Sequence, residues 1–287
     1  MTPLNVDQFM KASCSPSCEP VRPPLTQDQQ AGAGFSQVDL LTMLGSLAIL
    51  GLLLTPALAR TRVTDQGFQC RNNLRQIIGG WQMYAEENSG YLPNCFDWVG
   101  GWLTYGTNNA DNTNILYLIN GLLGPYVNNP AVYKCPADQS RAMEGGVSFP
   151  RARTVSMSQS FSAWTEGHLE DGGSPPGHWR HYLKAADMVL PAPANLWVLI
   201  DENPDSVNDC AFGVSMNTTN KWLDAPSTLH DGVCGIAFAD GHFETKKWAD
   251  PRTLALNVTY TTTSPHVLPQ PNNCDIKWVQ NRTTAPK

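Results

Sequence analysis

From Leu40 to Ala59 the chain carries no charged side chain. That run matches the ~20 residues with which a helix crosses ~30 Å of hydrocarbon, so it predicts a single membrane-spanning helix. A carboxylate, Asp39, stands directly before it. A lone charge at the edge of a membrane core costs a few kcal/mol unless it finds a partner, so Asp39 requires one.

A Gly34-Phe35 step lies just upstream, and Pro56 falls inside the run. Gly34, Phe35, Asp39, the apolar run and Pro56 together resemble the class III signal of type IV pilins and type II secretion pseudopilins. The resemblance implies cleavage after Gly34 by a prepilin peptidase and N-methylation of the new terminal Phe35. It also implies that Asp39 pairs with the terminal amine of a neighbouring subunit in a filament. The acid is Asp where the family usually has Glu, and no basic residue directly precedes Gly34.

Residues 1–34 are rich in Pro, Ser, Gln and Gly and offer too little apolar material for a core, as expected of a discarded leader. Four arginines, Arg60, Arg62, Arg71 and Arg75, follow the apolar run. Taken alone, the positive-inside rule would direct the C-terminal part into the cytoplasm. The cleavage signal implies the opposite: a cytoplasmic leader, an inner-membrane helix and a periplasmic or extracellular head. With 15% charged residues and a formal net charge of -6, no basic surface for nucleic acid is present.

After the run, Val63, Gly67, Cys70, Leu74, Ile77, Trp81 and Tyr84 recur at steps of four and three. This is one stripe of a helix that continues to about Asn88 and is stopped by Gly90 and Pro93. The segments Gln69–Ile77, Tyr84–Asn88, Gly90–Pro93, Tyr133–Asp138 and Arg153–Met157 resemble the pseudopilin-like proteins abundant in planctomycetes and verrucomicrobia. So does His230 followed, after nine residues, by Asp240-Gly241. Ile115–Leu123 predicts a short helix ending at Gly124-Pro125. Asn195–Ile200 reads as a buried strand, and Val233–Phe238 and His242–Lys247 as a hairpin around Asp240-Gly241. The tail from Asn257 reads as irregular.

The expected fold is therefore α+β and pilin-like: a long N-terminal helix, membrane-spanning in its first half, packed on an antiparallel sheet. The expected division is a leader 1–34, a transmembrane half-helix 35–59, a soluble half-helix 60–90 and a head 91–287.

The cysteines after the run are Cys70, Cys95, Cys135, Cys210, Cys234 and Cys274. An even number in an exported region favours disulfides, with fifteen pairings open. The resemblance implies Cys70 with Cys135, since both match family cysteine positions. Asp201, Glu202, Asp205, Asn208 and Asp209 form the densest oxygen cluster, suited to Ca2+ in a strand-exit loop. Major pseudopilins bind calcium in a C-terminal loop, which supports the same expectation. Asn108, Asp111, Asn112 and Asn114 are a weaker set. His230, His242 and Asp240 have the composition of a zinc site but lack a spacing that fixes them together. The preferred reading is that His230 and Asp240 bond to each other or to the backbone and so lock the hairpin.

No nucleophile elbow, phosphate loop or CxxC is present, so no enzyme is expected. The functional expectation is a structural subunit processed by prepilin peptidase. Its expected partners are other pilin subunits, the inner-membrane assembly machinery and the membrane, in a secretion pseudopilus or a type IV pilus-like filament. Nine tryptophans keep open an alternative, a membrane-anchored carbohydrate-binding head.

Overall fold

The computed structural model describes residues 36–106, 108–163, 169, 177–216, 221–261 and 269–287. Side chains 53–65 lie outside that description, as do Gly34 and Phe35. The chain divides into two compact units, Met1–Leu52 and Leu53–Lys287.

Helix α1 is Gln37–Glu87. Its start is a reciprocal cap in the first unit. The Ser36 backbone N–H and hydroxyl donate to Asp39 Oδ2 at 3.0 and 2.8 Å, and the Asp39 N–H donates back to Ser36 Oγ at 3.2 Å. This is the capping-box arrangement, in which a residue at the third helical position answers the cap residue. Asp39 thus has a local partner, and the Ser36 hydroxyl holds its carboxyl below the usual range. Past the cap, every large apolar side chain from Val38 to Leu52 is exposed.

In the second unit the stripe meets the sheet. Cys70, Leu74, Ile77, Trp81 and Ala85 are buried, and Ile78 joins them. The helix stops where glycine takes over: Gly90 is left-handed (φ 78°) and its N–H bonds the Ala85 carbonyl at 2.8 Å.

The sheet has five strands, β3 (Val155–Ser158), β4 (Trp197–Asp201), β5 (Ala211–Phe212), β6 (Val233–Phe238) and β7 (Phe243–Lys247), in the order β5-β3-β4-β6-β7. Strands β1 (Arg141–Glu144) and β2 (Val147–Pro150) form a separate hairpin. On one face of the sheet Val155, Met157, Leu199 and Ala237 pack with Leu74, Ile77 and Trp81 of α1. On the other, Trp197, Ile200, Phe212, Ile236 and Phe238 pack with Trp248, Ile276 and Val279. The register slips between Trp197 and Leu199, which places Val198 and Leu199 on the α1 side together.

Two expectations are corrected. No helix among the described residues is long and apolar enough to cross a membrane. A pilin-type fold with a membrane-spanning first half-helix, and localisation by a single N-terminal anchor, are therefore not supported. The sheet is mixed rather than antiparallel, because β5 returns parallel to β3.

Smaller differences have local causes. Gly124-Pro125 does not end the Ile115–Leu123 segment but opens a second helix. Helix α2 is Leu116–Ile119 and α3 is Gly124–Val127, with Pro125 in the first turn, where its missing N–H costs nothing. The Asp240-Gly241 turn is a three-residue loop. The Gly241 N–H bonds the Phe238 carbonyl at 2.9 Å, the Phe238 N–H bonds the His242 carbonyl at 2.9 Å, and Gly241 is left-handed at φ 91°. A short helix, α4 (Pro251–Leu254), precedes the tail, and the tail from Asn257 holds the helix α5 (Cys274–Thr283).

Candidate metal centre

Four segments far apart in sequence converge beneath α1. Cys70 lies on the buried stripe of that helix. Cys135 follows a 3₁₀ turn, Pro130–Tyr133, and its N–H bonds Thr154 Oγ1 at 2.8 Å, beside the start of β3. Asp201 is the last residue of β4, paired in register with Val155. His230 ends the segment before β6, where Asp231 (φ 55°) and Gly232 (φ 74°) are both left-handed and turn the chain sharply. A Cβ on Gly232 would meet Leu254 Cδ2 at 2.4 Å, so only glycine fits there.

The four side chains are buried, between 0% exposed for Asp201 and 8% for His230. Their ligand atoms all lie within 4.8 Å of one another. Cys70 Sγ donates to Asp201 Oδ2 in a very short contact, and His230 Nε2 lies 3.1 Å from Cys135 Sγ. Among the described residues, Asp201 Oδ1 and His230 Nδ1 have no hydrogen-bond partner. The neighbouring Cys70 thiol, opposed by burial and reinforced by His230, brings the Cys135 thiol down to about 5. The Cys135 bond and burial push the Cys70 thiol up, and burial pushes the Asp201 carboxyl up.

A cleft of 280 Å³ opens onto this cluster, lined by Gly67, Phe68, Arg71, Asp231 and Lys247 among others. Gly235 shapes its floor. A Cβ there would sit 2.6 Å from Leu74 Cδ1, 3.6 Å from Asp201 Oδ2 and 3.7 Å from Cys70 Sγ, so the missing side chain lets α1 settle onto β6. Two sulfurs, an imidazole and a carboxylate are ligands for a soft or borderline divalent ion.

The residues named from sequence are distributed differently from expectation. Cys70 and Cys135 are brought together, but all six described cysteines are free thiols. Of the remainder, Cys95, Cys210 and Cys234 are buried and Cys274 is exposed. The calcium set does not converge: Asp201 faces Cys70, Glu202 accepts from Ser156 and Ser206, Asp205 accepts from Thr259 and Tyr260, and Asp209 accepts from the Ala211 N–H. Asn208 accepts from the N–H of Asp209.

The positive charge beside this loop comes from the protein. Arg151 donates to the carbonyls of Pro204 and Val207, both at 2.8 Å. Arg153 donates to the Asp209 carbonyl at 2.7 Å and the Gly101 carbonyl at 3.0 Å. In the weaker set Asp111 and Asn112 are used by the backbone N–H groups of Trp102 and Thr104.

His230 and Asp240 do not meet. Asp240 pairs with His242, which stacks on Phe238, while His230 turns inward to Cys135. The zinc set His230, His242 and Asp240 is thereby split, and His230 takes other companions. Nothing in the local spacing of Cys70, Cys135, Asp201 and His230 marks them as a group. The signal was the coincidence of three cysteine- or histidine-bearing motifs with the acid that ends β4. The chain matches no family model, no curated protein and no solved structure.

Proposed function

We propose that the chain is a structural subunit of the pilin or pseudopilin class, cut after Gly34 by a prepilin peptidase and assembled with copies of itself through residues 37–52. The observation that supports this is the helical surface those residues leave open. Val38, Leu40, Leu41, Met43, Leu44, Leu47, Ile49, Leu50 and Leu52 are between 53% and 73% exposed. Apolar surface of this extent calls for a partner, since each buried Å² contributes roughly 25 cal/mol. Helices of neighbouring copies would bury it, with the reciprocal Ser36–Asp39 cap holding the start of each in helical form.

The carbohydrate-binding alternative would draw on exposed tryptophans. Trp81, Trp98, Trp197, Trp222 and Trp248 are core residues, and among the described residues Trp102 is the exposed tryptophan. Trp278 is covered by Lys246 and Arg282.

Mass spectrometry of the isolated protein tests the processing step. A chain beginning at methylated Phe35 is the expected result, and Gly34→Ala should retain the long form; unchanged processing of that variant would overturn the reading. Asp39→Asn keeps a capping acceptor and removes the charge. Loss of filaments in that variant would assign the carboxylate a role in assembly beyond the cap.

A further inference from the structure

We propose that Cys70, Cys135, Asp201 and His230 bind one zinc ion, which ties α1 to the sheet. The inference is independent of the assembly reading and concerns the second unit alone.

Four observations carry it. The ligand atoms come from four separate segments yet lie within 4.8 Å of one another, and tetrahedral zinc with bonds of ~2.0–2.3 Å would hold them ~3.3–3.8 Å apart, so the farthest pair closes by at most ~1.5 Å while the touching pairs, Cys70 with Asp201 and Cys135 with His230, open slightly. Burial is complete enough that water does not offset their charge: Asp201 is 0% exposed and Cys135 is 2% exposed. Asp201 Oδ1, buried in this cluster, has no hydrogen-bond partner among the described residues. Finally, the donor atoms already face one another in pairs, Cys70 Sγ against Asp201 Oδ2 and Cys135 Sγ 3.1 Å from His230 Nε2.

A buried carboxylate beside two sulfurs, with no cationic side chain bonded to it, is costly unless a cation is present. A divalent ion resolves this: both thiols ionise, and Asp201 and His230 Nε2 complete the tetrahedron. The protons leave through the 280 Å³ cleft, the same path by which the ion enters. Arg71 and Lys247 on the cleft wall face the one net negative charge that two thiolates and a carboxylate leave around a doubly charged ion.

Sulfur donors select zinc over calcium or magnesium, which take oxygen ligands. Four protein ligands make a closed, structural site rather than one with an open position for catalysis.

The test uses the full chain, purified under reducing conditions without chelator. One equivalent of zinc by elemental analysis is expected. Exchange with cobalt should give the visible bands of tetrahedral Co2+ and a thiolate-to-metal charge-transfer band. Cys135→Ser and Asp201→Asn should each lose the bound metal, and Cys274→Ala should retain it. Reduced wild-type protein that holds no zinc and gives no charge-transfer band with cobalt would overturn the proposal without any variant having to fold. So would a Cys70–Cys135 disulfide in metal-free protein isolated without reductant, since a bridge between those two sulfurs removes half the ligands.

Discussion

Arg151 and Arg153 are the residues whose loss should be felt most. Each guanidinium is buried and donates two hydrogen bonds to carbonyls of other segments, and Arg151 also lies 4.5 Å from the Tyr105 ring. Arg153→Met keeps the volume and leaves the carbonyls of Asp209 and Gly101 without those donors. Each orphaned carbonyl costs about 1–3 kcal/mol, so a total loss of roughly 3 kcal/mol is expected in urea unfolding.

A second prediction at this scale concerns pH. Burial, opposed by the Gly213 N–H and helped by the Asp209 charge, pushes the Asp224 carboxyl up to about 8. A raised folded-state value means that the folded chain binds the proton more tightly than the unfolded one. The stability this contributes is present below about 4, the unfolded carboxyl value, and is lost as pH rises toward 8. Asp224→Asn should remove that decline, so thermal melts at pH 5 and pH 8 should differ less for the variant than for the parent. An identical pH dependence would mean that Asp224 is ionised throughout.

Elements differ in how far their sequence discloses them. The stripe on α1 repeats at a fixed period because one face of the helix is buried, whereas β4 and β6 show as short apolar runs because both their faces are covered. Helix α5 escaped notice in a Thr-, Pro- and Asn-rich tail, although its cap is regular. Asn273 Oδ1 accepts from the N–H groups of Asp275 and Ile276, and Ile276, Val279, Gln280 and Thr283 form a short buried face.

The acids of residues 201–209 misled for another reason. Their neighbours, Arg151 and Arg153, lie about fifty residues upstream, and composition cannot show that a loop is buried around guanidinium groups rather than a cation. The cysteine–histidine cluster was illegible for the same reason, since only the packing of α1 on β6 brings Cys70 to the other three. Gly235 controls that packing. Gly235→Ala should overpack Leu74 and cost about 1–3 kcal/mol, and it should weaken cobalt binding at Cys70 in parallel. Loss of stability with cobalt binding unchanged would show that the helix position does not set the site.

For the whole molecule the decisive question is what covers the apolar side chains of residues 37–52. Leu44 and Leu47 lie three residues apart on one helical face and are 55% and 56% exposed. Replacing both with lysine leaves the core of the second unit untouched, because neither residue belongs to it. Leu44→Lys with Leu47→Lys should therefore leave the thermal midpoint of that unit within a few degrees of the parent, as exposed substitutions do. The same pair should abolish filaments and higher oligomers, because two charges at a helix contact lack partners there and oppose its closure. Light scattering and electron microscopy read the assembly, and calorimetry reads the unit. Assembly that survives both lysines would place the contact elsewhere on the molecule. A fall in the melting temperature together with assembly would mean that residues 37–52 are buried within each copy rather than between copies.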